Sequence, residues 1–364
     1  MTSADRVAVV GTGLIGTSIA LAAARTGAIV VGWDADAAVA ARAARIAGIR
    51  PAASVEEAVR DADMVVVATP IPTIATLVAE CLMASPGAVV TDVGSVKGAI
   101  IDGTVATTTP AHLARFVPGH PMGGSERSGP EHASASAVDG IVWAITPHRT
   151  SDPAAVDALE GWVTSLGARP VRLDPERHDR LVAFVSHLPQ VASTALMSLA
   201  ATEEADEPEI LLLAAGGFRD LTRLAASNPA LWSDILLANS QAIAEAIDLY
   251  AERLVRLRDE IVGERGSEVE STFDQAKRAR LRLAAKPTVR AGVAVLQVEV
   301  PDRPGALADL TTALGVGGVN IEDLQIVHSP EGGRGTVHLT VAAVEADTAG
   351  SVLSAAGLDP IRLA

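Results

Sequence analysis

The chain has 364 residues, a formal net charge of −15, 49% hydrophobic residues and 20% charged residues. That balance describes an ordered globular protein long enough for two or three domains, and its acidity excludes nucleic acid or an anionic membrane as a broad surface ligand. Phosphates or carboxylates must then be met by local cationic sites. One cysteine, Cys81, excludes an intramolecular disulfide and reads as an inert buried thiol in a reducing compartment. The N-terminal MTSADRVAVV lacks the basic, apolar and small-residue regions of a secretion signal, and no apolar run reaches membrane-spanning length. The expected location is the cytoplasm.

In chain order, the run VAVVGTGLIG from Val7 to Gly16 comes first and reads as a buried strand that stops in a glycine-patterned turn and opens a helix. Gly11 suits the tight turn, Gly13 lets backbone approach a pyrophosphate, and Gly16 permits close packing of helix on strand. Thr12, Leu14 and Ile15 share that turn, whose free N–H groups face the phosphates. SIALAAA from Ser18 continues as helix, and AIVVG from Ala28 to Gly32 closes a βαβ unit. Trp33 and Asp34 follow. A carboxylate there accepts hydrogen bonds from both ribose hydroxyls and repels a 2′-phosphate, so Asp34 favours NAD over NADP. The competing reading is a loop aspartate that caps the next helix.

Further strands are expected at MVVVAT (Met64 to Thr69), AVVTDV (Ala88 to Val93), IVWAIT (Ile141 to Thr146) and, more weakly, PVRLD (Pro170 to Asp174). Alternation with alanine-rich helices predicts an α/β domain over 1–174, a Rossmann-type doubly wound, mostly parallel sheet. Ligands gather at the C-terminal strand ends of such sheets. Thr69 and Pro70 stand at one such end, and Asp92, Gly94, Ser95 and Lys97 cluster at another. Ser95 reads as a helix cap that can also bind. PGHPMGGSE, from Pro118 to Glu126, places His120 in a rigid loop between prolines and glycines, where a histidine suits catalysis better than packing. No cluster at metal-ligand spacing appears, so no metal is expected.

Residues 175–284 contain little that resembles a strand. Arg180 to Ala201, Glu209 to Leu213, Leu231 to Leu257 and Phe273 to Leu283 carry apolar residues at helical spacing, which predicts an all-α domain that holds substrate and joins two copies as a homodimer. His178 and Asp179 read as a cap and hinge at the head of the first helix. His187, in SHLP, is open to a core or a pocket role. The turn-prone stretch Ala284 to Arg290 reads as a linker. Over 291–364 the order β-α-β-β, with a later helix and strand, predicts a small α+β ferredoxin-like domain. VPDRPGALADL with downstream GVNI resembles the ACT family of regulatory domains. That resemblance places Asp302, Gly305, Ala306 and Asn320 near an amino-acid effector such as tyrosine; the plainer reading is a strand-to-helix turn shaped by Pro304 and Gly305.

Taken together, GTGLIG, DVGSVK, GHPMGGSE, SHLP and FRDLTRLAASNPALW resemble the prephenate and arogenate dehydrogenases of tyrosine biosynthesis, over essentially the whole chain. The resemblance implies oxidative decarboxylation of a cyclohexadienol: hydride leaves the hydroxyl-bearing ring carbon for NAD, carbon dioxide departs, and the ring becomes aromatic. It implies His120 as the base, a role that suits an imidazole of ordinary pKa near ~6.5. Ser95 would hydrogen-bond the hydroxyl or His120, while Glu126 and Lys97 order the pocket. Arg223 would hold a substrate carboxylate bidentately, oriented by Asp220 beside Thr222. The pattern moves His187 towards the pocket. Gln190 departs from the histidine that many prephenate-using relatives carry after SHLP, which weakens prephenate against arogenate, the latter bearing an ammonium on its side chain. Prephenate stays first, with arogenate or an amino-substituted ring as alternatives. A β-hydroxyacid dehydrogenase or imine reductase usually carries a catalytic lysine in its helical domain, and residues 180–250 contain none. A non-catalytic NAD-sensing regulator would need neither His120 nor Arg223.

Overall fold

The computed structural model describes residues 4–123, 129–284, 293–301, 303–328 and 334–363. They form two compact units, Met1–Ala195 with Leu224–Tyr250 and Leu196–Arg223 with Ala251–Ala364.

The first unit is built on β1 (Arg6–Val10), β2 (Ile29–Trp33), β3 (Arg50–Pro51), β4 (Met64–Val67) and β5 (Val89–Asp92), in the spatial order β3-β2-β1-β4-β5. All neighbours pair in parallel. Strands buried on both faces read as continuous apolar runs, as β1 and β4 do. The helices α1 (Leu14–Arg25), α2 (Ala37–Ala47), α3 (Val55–Val59), α4 (Ile71–Ala84), α5 (Gly98–Thr107) and α6 (Pro110–Leu113) lie in or follow the crossovers. Burial on one face is shared by α1 and Val7, Val9 and Met64; on the other, α4 and α5 pack against Val65, Val67 and Val90.

One continuous sheet was the expectation; two are present. β6 (Gly119–Pro121), β7 (Val142–Ile145) and β8 (Arg169–Arg172) form a separate three-stranded sheet in which β6 runs antiparallel to β7. The chain follows β5 for a single parallel bridge, Val90 to Phe116, and then reaches Pro118, which has no N–H to extend the ladder. His120 therefore sits on a short strand rather than in a loop. α7 (Pro153–Ser165) packs Trp162 edge-on against Trp143 of β7, with ring centroids 6.2 Å apart, in the core that also holds α1.

α8 (Pro175–Val182), a π-helical turn (Ala183–His187) and α9 (Leu188–Glu203) follow without interruption. Pro189 removes one backbone donor and crowds the carbonyl four residues back, so the helix widens just before it. Continuity also corrects the reading of apolar length: Pro175–Glu203 spans 29 residues with mean hydropathy 1.3 in its most apolar window, enough by length and composition to cross a membrane. Buried His178, Asp179, His187 and Gln190 on this helix are hydrogen-bonded within the protein. α10 (Glu209–Leu212), α11 (Gly216–Thr222), α12 (Pro229–Ala238), α13 (Ser240–Val262) and α14 (Gly266–Ala284) complete the helical segment. The helix expected over Leu231 to Leu257 is broken at Asn239, which ends α12 at φ −124°.

In the second unit β9 (Val293–Pro301), β10 (Ile321–His328), β11 (Arg334–Ala342) and β12 (Pro360–Leu363) form an antiparallel sheet, order β10-β11-β9-β12. α15 (Ala306–Val316) and α16 (Ala346–Ala355) close its core through Leu310, Leu314 and Leu353 against Leu296, Val298 and Leu339. This is the ferredoxin-like arrangement expected. The linker expected near Ala284 to Arg290 falls largely outside the described residues. Leu310 is fully buried, so Leu310→Ala should destabilise this domain by about 2–5 kcal/mol, read as a lower urea midpoint for its unfolding.

Candidate active site

Three glycines shape the mouth of β1, each for a separate reason. Gly11 has φ +95°, and a Cβ there would lie 2.5 Å from the Ala68 carbonyl oxygen at the end of β4. At Gly16 a Cβ would lie 1.9 Å from the Gly11 carbonyl oxygen, so only glycine lets α1 start this close to β1. Gly13 differs: nothing stands within 4 Å of its Cβ position, and it is the residue before α1. That open space lies beside the first N–H groups of the helix, where a pyrophosphate fits. Asp34 accepts the Thr12 backbone N–H at 2.8 Å and the Asp36 N–H at 3.0 Å, which holds its carboxylate at the end of β2. It is not the helix cap; Asp36 caps α2 by accepting from Ala38. Thr69 is half-buried and accepts from the Thr73 hydroxyl at 2.9 Å, while Pro70 is the exposed residue that starts α4. Leu14 and Ile15 line a cavity of about 260 Å³ with Ser18, Pro121, Gly123 and Ile141. These residues fit NAD.

Asp92, expected at the cofactor, and Lys97, expected to order the pocket, are fully buried against one another. The Lys97 ammonium also donates to the Gly119 carbonyl at 2.6 Å, and the Asp92 carboxylate accepts the Gly94 N–H at 2.9 Å. Burial lowers the Lys97 pKa while Asp92 opposes that shift. Neither charge is presented to a ligand; together they tie the end of β5 to the start of β6. Gly94 is packed closely, since a Cβ would approach Ile100 to 2.5 Å. Ser95 is half-buried, and its hydroxyl has no hydrogen bond to another described residue. Lys97, not Ser95, occupies the cap position of α5.

His120 Nδ1 lies 2.9 Å from His178 Nε2, and His178 Nδ1 lies 2.8 Å from an Asp179 carboxylate oxygen. Asp179 in turn accepts the backbone N–H groups of Lys97 at 2.8 Å and Gly98 at 2.7 Å, the start of α5. Burial pushes the Asp179 carboxyl up, but the donors from His178, Gly98 and Lys97 outweigh it and hold the group below its ordinary value. His178 and Asp179 thus do not cap their own helix, whose cap is Asp174. Burial, reinforced by Lys97, His178 and His187, holds His120 neutral well below 6.5. His187, in the π-helical turn, is buried, packs edge-on against Trp232, and is lowered to about 4, chiefly by burial. Asn239 donates to the Asp179 carbonyl at 2.9 Å and meets His187 Nδ1 at 3.3 Å.

The Gln190 amide is engaged by the protein at both ends, donating to the Leu224 carbonyl at 2.8 Å and accepting from Ser227 at 3.3 Å. It therefore braces the turn that follows Arg223. Arg223 and Asp220 are exposed in the second unit, on or just after α11, and the Thr222 hydroxyl there donates to the Phe218 carbonyl at 2.7 Å. Glu126 and Asp302 lie outside the described residues. Gly305, at φ +88°, precedes α15, Ala306 is buried, and Asn320 donates to Glu322 at 2.8 Å. Among the described residues no three His, Cys, Asp or Glu side chains are grouped to hold a metal ion.

Residues that sequence reasoning missed, His178, Asp179 and Asn239, are buried polar groups. The first two stood adjacent to one another before an apolar run. Asn239 carried no signal of its own, because its role depends on a helix break that periodicity concealed.

Residues 19–172 match the family described as prephenate dehydrogenase, nucleotide-binding domain, residues 174–275 the prephenate dehydrogenase dimerization domain, and residues 294–356 the ACT domain. The chain is 32% identical over 345 residues to a prephenate dehydrogenase of Bacillus subtilis (strain 168), across 92% of each chain. Among solved structures, a prephenate dehydrogenase from A. aeolicus in complex with hydroxyphenyl propionate and NAD+ superposes with TM-score 0.71 at 28% identity, covering 77% of this chain and 98% of that one. A Synechocystis arogenate dehydrogenase gives TM-score 0.68 at 28% identity, covering 76% and 99%. With the histidine strand inside the first of these matches, most of the helical segment inside the second, and 32% identity to a prephenate dehydrogenase over 92% of the chain, the chain belongs to the prephenate dehydrogenase family of NAD-dependent dehydrogenases and carries an ACT domain.

Proposed function

We propose that the chain oxidatively decarboxylates prephenate, with His120 as the base that accepts the ring hydroxyl proton. The observation that carries this reading is a histidine on β6, next to the C-terminal end of β5, held neutral by burial and tied through Nδ1 to His178. NAD, bound across Gly13 and Asp34, supplies the hydride acceptor. As hydride leaves the hydroxyl-bearing ring carbon, the hydroxyl proton passes to the imidazole of His120. The carbonyl so formed draws the electrons released with carbon dioxide into the ring, and the oxygen is reprotonated as a phenol. Ser95, whose hydroxyl is not engaged elsewhere among the described residues, orients the substrate hydroxyl or His120. Arg223 holds a substrate carboxylate.

A second reading, arogenate, is favoured by one observation: buried Gln190 places no cation directly after SHLP, and its amide is turned to Leu224 and Ser227. Similarity extends to a prephenate dehydrogenase and to an arogenate dehydrogenase alike. Rates on the two substrates with NAD separate the readings; formation of reduced nicotinamide from neither would sink both. The exposed apolar residues Leu249, Leu254, Ile261, Val262 and Phe273 on α13 and α14, within a region that matches a dimerization domain, support a homodimer. The ACT domain supports feedback by an amino acid such as tyrosine, tested by titration of the full chain against a truncation after Leu283; equal sensitivity would place the effector elsewhere.

Four outcomes follow from these roles. Gly13→Ala should fold normally, since its Cβ meets nothing within 4 Å, yet bind NAD about tenfold more weakly, ~1.4 kcal/mol, by calorimetry. His120→Asn should keep NAD affinity and lose about 10²–10⁴-fold in kcat. Because the base works unprotonated and its pKa lies well below 6.5, kcat/KM should stay level through pH 6.5 and fall only further into acid. Arg223→Ala should raise the substrate KM strongly, and an unchanged KM would remove it from the carboxylate role.

A further inference from the structure

The hydrogen bonds behind His120 have a direction, and it is set at their far end. Asp179 is held ionised by the backbone donors of Lys97 and Gly98, at 2.8 and 2.7 Å. An ionised carboxylate only accepts, so His178 Nδ1, 2.8 Å away, carries a proton. In neutral His178 the bare nitrogen is then Nε2, which stands 2.9 Å from His120 Nδ1. With His178 in that neutral form, His120 Nδ1 is the donor of this hydrogen bond. We propose that Asp179 and His178 are positioning residues that hold His120 in the tautomer protonated at Nδ1, the form whose bare Nε2 can take the substrate hydroxyl proton. This rests on the reading of His120 as the base.

The same geometry serves the step after proton capture. An imidazolium at His120 would be costly in a buried site beside the Lys97 ammonium, which disfavours added positive charge. Its Nδ1–H already points at the His178 lone pair, and the opposite N–H of His178 is held by the Asp179 carboxylate. The negative charge is thus coupled to the base through one intervening ring, as an aspartate orients and stabilises the histidine of a hydrolytic triad. His187 is set the other way. Asn239 must turn its amine end to the Asp179 carbonyl, which can only accept, so that amine also donates to His187 Nδ1 and leaves the His187 proton on Nε2. Two neighbouring histidines are thereby fixed in opposite tautomers, one with an acceptor at Nε2 and one with a donor.

The test uses the full-length chain with nitrogen-labelled histidine, the His120 ring signals being assigned by their loss in His120→Asn. In the wild type those signals should show a protonated Nδ1 and a bare Nε2. In His178→Phe, which removes the acceptor, the proton should move to Nε2. The same variant should lower kcat by about 10²-fold or more while the substrate KM and NAD affinity stay near wild type. His178→Gln, whose carbonyl can accept the Nδ1–H, should recover much of the loss. A wild-type His120 protonated at Nε2 would overturn the proposal, as would a His178→Phe enzyme with unaltered tautomer and kcat. The wild-type spectrum decides even if the Phe variant does not fold. It also decides independently of activity: a wild type that turns over neither prephenate nor arogenate rejects the functional reading, while the ring signals still judge the tautomer.

Discussion

The buried ion pair between Lys97 and Asp92 is the constraint on which the rest of the site depends. Two charges with no exposed side-chain surface incur a large desolvation cost, and removal of one partner alone would cost about 3–5 kcal/mol. Such a pair adds little net stability over apolar residues of the same volume. What it adds here is position. Lys97 reaches the Gly119 carbonyl, one residue before His120, and Asp92 reaches the Gly94 N–H, one residue before Ser95. Two residues from separate stretches of chain are therefore set by one interaction. The same ammonium also disfavours a proton on His120, so it helps to keep the base unprotonated.

Asp179 performs a second joining function from the other side. Its carboxylate closes the first turn of α5, where negative charge meets the positive end of the helix, and its remaining capacity orients His178. The helical segment and the sheet edge are thus registered through backbone amides, which cannot rotate away as side chains can. Family resemblance explains which residues are present. The hydrogen-bond directions explain why their order in space matters.

Much of this was legible in the sequence. The glycine turn, the parallel strands of the first sheet and the β-α-β-β order of the ACT domain follow from local pattern, and the structure has them close to where the pattern puts them. The separate β6-β7-β8 sheet was not legible, because three residues, Gly119–Pro121, give no period and a proline carries the switch. Within the site, residue type alone separated poorly those groups that face a ligand from those that hold others in place. Asp92 and Gln190 were read as ligand contacts, yet their polar atoms are engaged by the protein, and Lys97, read as ordering the pocket, holds Asp92 and the Gly119 carbonyl. His178 and Asp179 were read as helix-end residues, yet they support His120. Direction of hydrogen bonding is a three-dimensional property, and no spacing rule carries it.

The way the chain is threaded bears on how the site comes into being. The polypeptide crosses between the two compact units after residues 195, 223 and 250, so the first unit is not complete until its last segment has been made. Asn239, which orients both Asp179 and His187, lies on that returning segment, 60 residues beyond Asp179. During synthesis, where N-terminal parts fold first, the nucleotide-holding sheet can form while its chemical half still lacks a brace. The segments that hold the dinucleotide therefore leave the ribosome before the brace of the chemical half, and the ACT domain is translated later still.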